Sequence, residues 1–68
     1  MPEFVKFVTI EGHKVAIHWQ SIECVIEKGE WTEIHCGPTL FFTANPVDVI
    51  EELINQARIA TIQETTYD

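Results

Sequence analysis

The chain has 68 residues, 46% of them hydrophobic, and four basic against eleven acidic side chains give a formal net charge of −7. This length bounds the protein to a single small domain, predicted over residues 1–68, and the hydrophobic share excludes a disordered acidic tail. No apolar run approaches the length of a membrane span, the first residues lack the pattern of a signal peptide, and the negative charge disfavours nucleic acid and membranes as partners. We therefore expect a cytoplasmic protein.

Five short β-rich runs fill residues 3–43. Turn residues separate them at Glu11-Gly12, at Gly29 and at Gly37-Pro38. Their content of Val, Ile, Phe, Trp and Thr is typical of strands. Because the connections are short, only hairpins fit between the runs. The sequence therefore predicts an antiparallel sheet of four or five strands.

The last third of the chain changes to a helical period. Apolar residues recur at spacings of three and four, at Val47, Ile50, Leu53, Ile54 and Ala57. With Asn45 as N-cap and Pro46 in the first helical position, a helix is predicted over about 46–60, followed by a polar tail over 61–68. The predicted fold class is α+β, a meander of hairpins with one C-terminal helix packed on one face.

The pairing register of each hairpin decides which side chains are buried. In the second hairpin, a loop with an odd number of residues pairs Cys24 with Cys36 and Ile26 with Ile34, whereas a two-residue turn pairs Cys24 with His35. The first register collects the apolar residues on one face. We therefore predict it, with both cysteines as buried thiols that face each other beneath the helix.

The other two hairpins extend the two predicted faces. The turn at Gly37-Pro38 pairs Ile34 with Phe41 and Cys36 with Thr39. The first hairpin places a further set under the helix: Phe4, Val8, Ile10, Val15, Ile17 and Trp19. The opposite face is then predicted to be half apolar, with Val5, Phe7, His18, Val25, Trp31, His35, Leu40 and Phe42.

No side-chain pattern indicates catalysis or metal binding. Cys24 and Cys36 lack C-x-x-C spacing, and their predicted face differs from that of the histidines, so a four-ligand zinc site is not completed. His18 and His35 are predicted about 10 Å apart, two strand spacings. No nucleophile–base arrangement and no phosphate-binding glycine loop is present. We expect a non-enzymatic protein without a cofactor or a metal ion.

The open sheet face is the predicted interface, because one helix cannot cover both faces of a sheet. An aromatic residue beside a turn, such as Trp31, is a typical anchor of a protein contact. The predicted contact residues are Trp31, His35, Val25 and Phe42, with Glu23, Glu27 and Glu33 around them. The glutamates either set specificity or only keep the face solvated. A homo-oligomer, most simply a two-fold dimer, is expected, and the negative charge also suits a basic protein partner.

The order of elements resembles one small family. The run I-E-G-H-K-V-A-I-H-W-Q-S-I-E over residues 10–23, a strand pair, and V-x-x-I-x-x-L-I from Val47 are similar to the FlbD/SwrD flagellar proteins. These have an L-x-G-K-x-x-x-x-N-P-x-x-I-E core, two further strands and a C-terminal helix. The shared positions are Gly12, Lys14, Ile22 and Glu23, and His18-Trp19 stands where the family has Asn-Pro. The resemblance implies a role in flagellar motor function.

A second resemblance covers the middle of the chain. The segment from residue 22, I-E-C-V-I-E-K-G-E-W-T-E-I-H, is similar to the I-x-Y-I-E-A-x-x-x-Y-x-x-I-x core of the LytTR DNA-binding domain, without its basic residues.

The function predicted from the open face and the charge is regulation by protein contact and self-association. The alternative is an oligomeric ligand-sequestering or inhibitor protein, such as a phage-encoded one, with its pocket between subunits. DNA binding ranks third because of the charge.

Overall fold

The computed structural model describes residues 3–66, and its elements follow the predicted order. The strands are β1 (Phe4–Val8), β2 (Lys14–His18), β3 (Cys24–Glu27), β4 (Thr32–Cys36) and β5 (Thr39–Thr43). A 3₁₀ helix, Trp19–Ser21, lies between β2 and β3, and the α-helix α1 spans Val47–Thr66. The fold is α+β, with antiparallel strand pairing throughout and the C-terminal helix packed on the sheet, which confirms the predicted class.

The strands form two sheets that a single bridge joins. β1 pairs with β2, and β3, β4 and β5 pair in that order. An isolated bridge between Thr9 and Thr43 joins the residues just after β1 to the end of β5, and the Ile10 amide donates to the Phe42 carbonyl at 2.9 Å. The two sheets therefore meet where β1 and β5 end. In each sheet, one face carries the residues that pack against the core, and the other face turns away from it.

The first hairpin pairs β1 with β2 one residue away from the predicted register, so the opposite face of β1 is buried. Phe7 lies opposite Val15. The turn has three residues, since the Thr9 amide donates to the His13 carbonyl at 2.8 Å. Gly12 closes it with a φ of 92°, the left-handed conformation of a three-residue hairpin with a bulge.

This turn changes which side chains of β1 are buried. Val5 and Phe7 are 1% and 5% exposed, although both were predicted on the open face. Phe4, Val8 and Ile10 were predicted under the helix and are instead 41%, 50% and 52% exposed. On β2 the prediction is confirmed, since Val15 and Ile17 pack against the core, as does Trp19 at the start of the 3₁₀ helix.

The second hairpin adopts the register that the sequence argument rejected. Cys24 lies opposite His35, and Val25 lies opposite Ile34. Its turn is the two-residue segment Gly29-Glu30, and Gly29 has a φ of 82° in the first turn position, as in a type II′ turn. The predicted pairing of Cys24 with Cys36 is therefore wrong.

The hydrophobic pattern of β3 could not decide between the two registers. Cys24 and Ile26 lie on one face of this strand and Val25 lies on the other. Both faces thus carry apolar groups, and the turn geometry sets the register instead. In the third hairpin the prediction is confirmed, since Ile34 lies opposite Phe41 and Cys36 opposite Thr39.

The core lies between the sheet and α1. Its buried hydrophobic residues are Val5, Phe7, Ile34, Ile50 and Ala57. The partly buried residues packed around them include Val25, Phe41, Leu53 and Ile54. Two buried hydroxyls are satisfied: Thr32 Oγ1 donates to the Asn45 carbonyl at 2.7 Å, and Thr43 Oγ1 donates to the Val8 carbonyl at 2.8 Å.

The helix begins one residue later than predicted and continues past its predicted end. The Ile50 amide donates to the Pro46 carbonyl at 3.2 Å, so Pro46 rather than Asn45 is in the N-cap position. The last described helical residue is Thr66, six beyond the prediction. Near this end, Trp19 Nε1 donates to Thr61 Oγ1 at 3.0 Å, a contact that supports the added turns. Over residues 3–66, no helix has the length and apolar character needed to cross a membrane.

Candidate interaction surface on the outer sheet face

The outer face of the sheet, which turns away from α1, carries the candidate site. Directly opposed residues of antiparallel strands point to the same side, so the registers define rows of neighbours. One row crosses the strands as Ile26, Glu33, Phe42 and Ile10, and the next as Cys24, His35 and Leu40. The name outer patch is used for Ile10, Ile26, Trp31, Glu33, His35, Leu40 and Phe42.

The apolar members of the outer patch are open to water. Ile10, Ile26, Trp31 and Leu40 are 52%, 39%, 38% and 43% exposed. The Trp31 ring meets Phe42 edge to face, with ring centroids 6.1 Å apart and planes at 85°. Such a pair contributes about 0.5–1.5 kcal/mol beyond its buried area, which holds the Trp31 ring in place. Contiguous exposed apolar surfaces of this kind are typical of interaction sites, which makes the outer patch the candidate site.

A charged group sits in the middle of the outer patch. The Glu33 side chain is only 15% exposed, between Ile26 and Phe42. Its Oε1 lies 3.1 Å from His35 Nε2, and its Oε2 lies 3.9 Å from Lys28 Nζ. Both carboxylate oxygens therefore have partners, which offsets the cost of removing this charge from water.

The structure brings together four of the seven predicted contact residues. Trp31, Glu33, His35 and Phe42 lie on the outer face, on adjacent strands or the turn beside them. The other three do not lie there. Val25 packs against the core, and Glu23 and Glu27 share its side of β3, where both are exposed.

Sequence reasoning missed Ile10 and Ile26 as members of this surface. Both were assigned to the helix-covered face because the two registers were predicted one residue away from those observed. A signal for the correct register was present in the turns. Glycine in the first of two turn residues, as in Gly29-Glu30, is the composition of a type II′ hairpin. A type II′ turn has two residues in its loop, and a two-residue loop gives the register in which Cys24 lies opposite His35.

The two cysteines lie on opposite sides of the sheet, each as a free thiol. Cys24 is exposed on the outer face beside His35. Cys36 is half-buried and packs against the core, and its burial, with a smaller contribution from the negative charge of Glu23, raises the pKa of its thiol. The prediction that both cysteines are buried neighbours is therefore wrong.

A cleft of about 330 Å³ opens beside the second hairpin turn. Its lining comprises Glu27, Gly29, Glu30, Trp31, Thr32, Ala44, Pro46, Val47 and Asp48. Trp31 thus borders both this cleft and the outer patch. Across the described range 3–66, no group of three or more His, Cys, Asp or Glu side chains has an arrangement that could hold a metal ion.

Comparison with known proteins finds no match to a family model, to a curated protein or to a solved structure. The resemblances to the flagellar family and to the LytTR domain stay predictions.

Proposed function

We propose that this chain is a small non-enzymatic regulatory protein that acts by protein–protein contact at the outer patch, first of all with further copies of itself. The observation that carries the proposal is the exposure of Ile10, Ile26, Trp31 and Leu40, between 38% and 52%, on one contiguous face. No element within residues 3–66 packs over this face, because α1 contacts the other side of the sheet. The resemblance to the FlbD/SwrD proteins supports a cytoplasmic, flagellar setting for this contact.

Covering the outer patch would stabilise an assembly. Each Å² of apolar surface removed from water contributes about 25 cal/mol before the costs of association. The side chains that would be covered include two aromatic rings, Trp31 and Phe42, which are enriched among the residues that dominate binding energies. Trp31 also loses little conformational freedom on binding, since its ring already packs on Phe42. We therefore expect Trp31 to contribute more than any other residue of the outer patch.

Light scattering and sedimentation at micromolar concentration test the proposal. The unmutated chain is expected to have at least twice the monomer mass, and Trp31→Glu should shift the mass toward the monomer. Gln20→Glu is the matched control, because Gln20 is exposed on the 3₁₀ helix and the change also adds a negative charge. A monomeric unmutated chain, or equal effects of the two substitutions, would contradict self-association through this surface.

The ligand-sequestering alternative has one observation in its favour, the cleft beside Trp31. Its lining includes the carboxylates of Glu27, Glu30 and Asp48, so the complementary ligand would be a small cation stacked on the indole ring. Titration with free arginine, followed by tryptophan fluorescence in the Trp19→Phe variant, which leaves Trp31 as the one indole, tests this function. A response lost in Glu30→Gln but kept in Gln20→Glu would support it, and no response in the Trp19→Phe variant itself would refute it.

A further inference from the structure

The lysines of this acidic protein lie on its outer face. Lys6 lies opposite Ala16 and Lys14 opposite Val8, with the exposed residues of β1 and β2, and both lysines are exposed. Lys28 lies beside Glu33 at the opposite end of the sheet. Among the strand residues that the structure describes, Glu33 is the one carboxylate on this side. It is already held by Lys28 and His35.

The outward side of α1 has the complementary pattern. Its first turns expose Asp48, Glu51 and Glu52, and its later turns expose Ile59 and Ile62, which are 46% and 48% exposed. The helical period places this surface opposite the buried stripe that packs on the sheet. The first turns thus present carboxylates, and the later described turns present Ile59 and Ile62 beside the polar Arg58 and Gln63.

The two patterns also agree in spacing. Lys6 precedes Ile10 by four residues, which is about 13 Å along an extended strand. Phe42 lies one strand spacing to the side of Ile10, so the distance from Lys6 to Phe42 is about 14 Å. On the helix, Glu52 and Ile62 are ten residues apart, about 15 Å at the rise of an α-helix. A helix laid on the outer face can therefore place its carboxylates near Lys6 and Lys14 and its isoleucines on the outer patch.

A symmetric contact between two outer faces lacks this complementarity. Lys6 and Lys14 of each copy would meet strands on which the one described outer-face carboxylate, Glu33, is already engaged. Ammonium groups brought into an interface without an opposite charge oppose association. The acidic side of α1 supplies that charge.

We propose that the outer face of one copy binds the outward side of α1 of the next copy, head to tail. This inference rests on the proposed self-association and names its second surface. Because the two surfaces lie on opposite sides of the molecule, the contact is heterologous and generates a chain of subunits or a closed ring. Added salt weakens it, since its lysine–carboxylate pairs are at the surface.

Charge reversal tests the pairing of the two surfaces. One variant carries Lys6→Glu with Lys14→Glu, and the second carries Glu51→Lys with Glu52→Lys. All four positions are exposed, and circular dichroism verifies that both variants are folded. In sedimentation experiments at low salt, each variant alone should have a self-association constant weakened at least about tenfold, because like charges then face each other. An equimolar mixture of the two variants should associate again.

The outcomes separate this inference from the proposed function. Loss of association in each variant and its recovery in the mixture support the head-to-tail contact. If Trp31→Glu abolishes association while the Glu51→Lys, Glu52→Lys variant associates normally, the outer patch is the interface but α1 is not its partner, and this inference is overturned. A monomeric unmutated chain overturns both.

Discussion

The register of the second hairpin predicts that substitution by alanine lowers the free energy of unfolding much more at Ile34 than at Ile26. Ile34 is 0% exposed in the core, whereas Ile26 is 39% exposed on the outer face. Substitution by alanine removes three carbon atoms from either side chain. In the alternative register the two residues are opposite each other in the core, and both substitutions are then equally costly.

The expected loss at Ile34 follows from its burial. At about 0.8 kcal/mol for each buried methylene, the transfer free energy alone is about 2.4 kcal/mol, and the cavity left behind extends the range to about 2–5 kcal/mol. A domain of this size has a free energy of unfolding of roughly 3–10 kcal/mol, so Ile34→Ala removes a large share of it. Ile34→Val, at about 0.5–1.5 kcal/mol, stays measurable. For Ile26→Ala we expect no more than about 1 kcal/mol, since water fills the vacated space.

Urea denaturation monitored by circular dichroism and tryptophan fluorescence measures these differences. The experiment is repeated at several protein concentrations, because Ile26 belongs to the outer patch and self-association adds to its apparent stability contribution. Extrapolated to the monomer, Ile34→Ala should lower the free energy of unfolding at least about twice as much as Ile26→Ala. Equal losses would refute the observed register and restore the pairing of Cys24 with Cys36.

Three further predictions concern a thiol, the helix and a turn. Cys24 should react with a disulfide reagent at neutral pH faster than Cys36, because burial limits access to the Cys36 thiol and raises its pKa. The Cys24→Ser variant should show only the slow phase of the reaction, and a remaining fast phase would contradict this prediction. In thermal melts, Leu53→Ala should lower the free energy of unfolding by about 2 kcal/mol, and Glu52→Ala, at an exposed position, by less than about 0.5 kcal/mol. Comparable losses from the two substitutions would show that the buried face of the helix is misassigned. Gly12→Ala should destabilise by about 1 kcal/mol although nothing lies near the added methyl group, because φ is 92°; an unchanged melting temperature would exclude strain at this turn.

Part of the candidate surface could be read from the sequence. Trp31 and Phe42 were predicted on the open face, and the structure places them together there. Their positions were predictable because the third hairpin has a tight turn whose register was read correctly and Trp31 adjoins β4. Val25 was assigned to the same face and lies in the core instead, because its position depended on the register of the second hairpin.

The sequence by itself determined the type and order of the elements. β-branched and aromatic runs specify strands, glycine and proline specify turns, and the stripe through Ile50 and Ala57 specifies the side of α1 that is buried, all through interactions within a few residues. Only the tertiary structure decided which face of β1 and β3 is covered. That choice depends on whether a turn contains two residues or three, and a difference of one residue reverses every side chain on the strand. Because both faces of these strands are apolar, burial alone did not select the register. The turns at Gly12 and Gly29 did, and they thereby placed Ile10 and Ile26 on the surface that we propose as the interface.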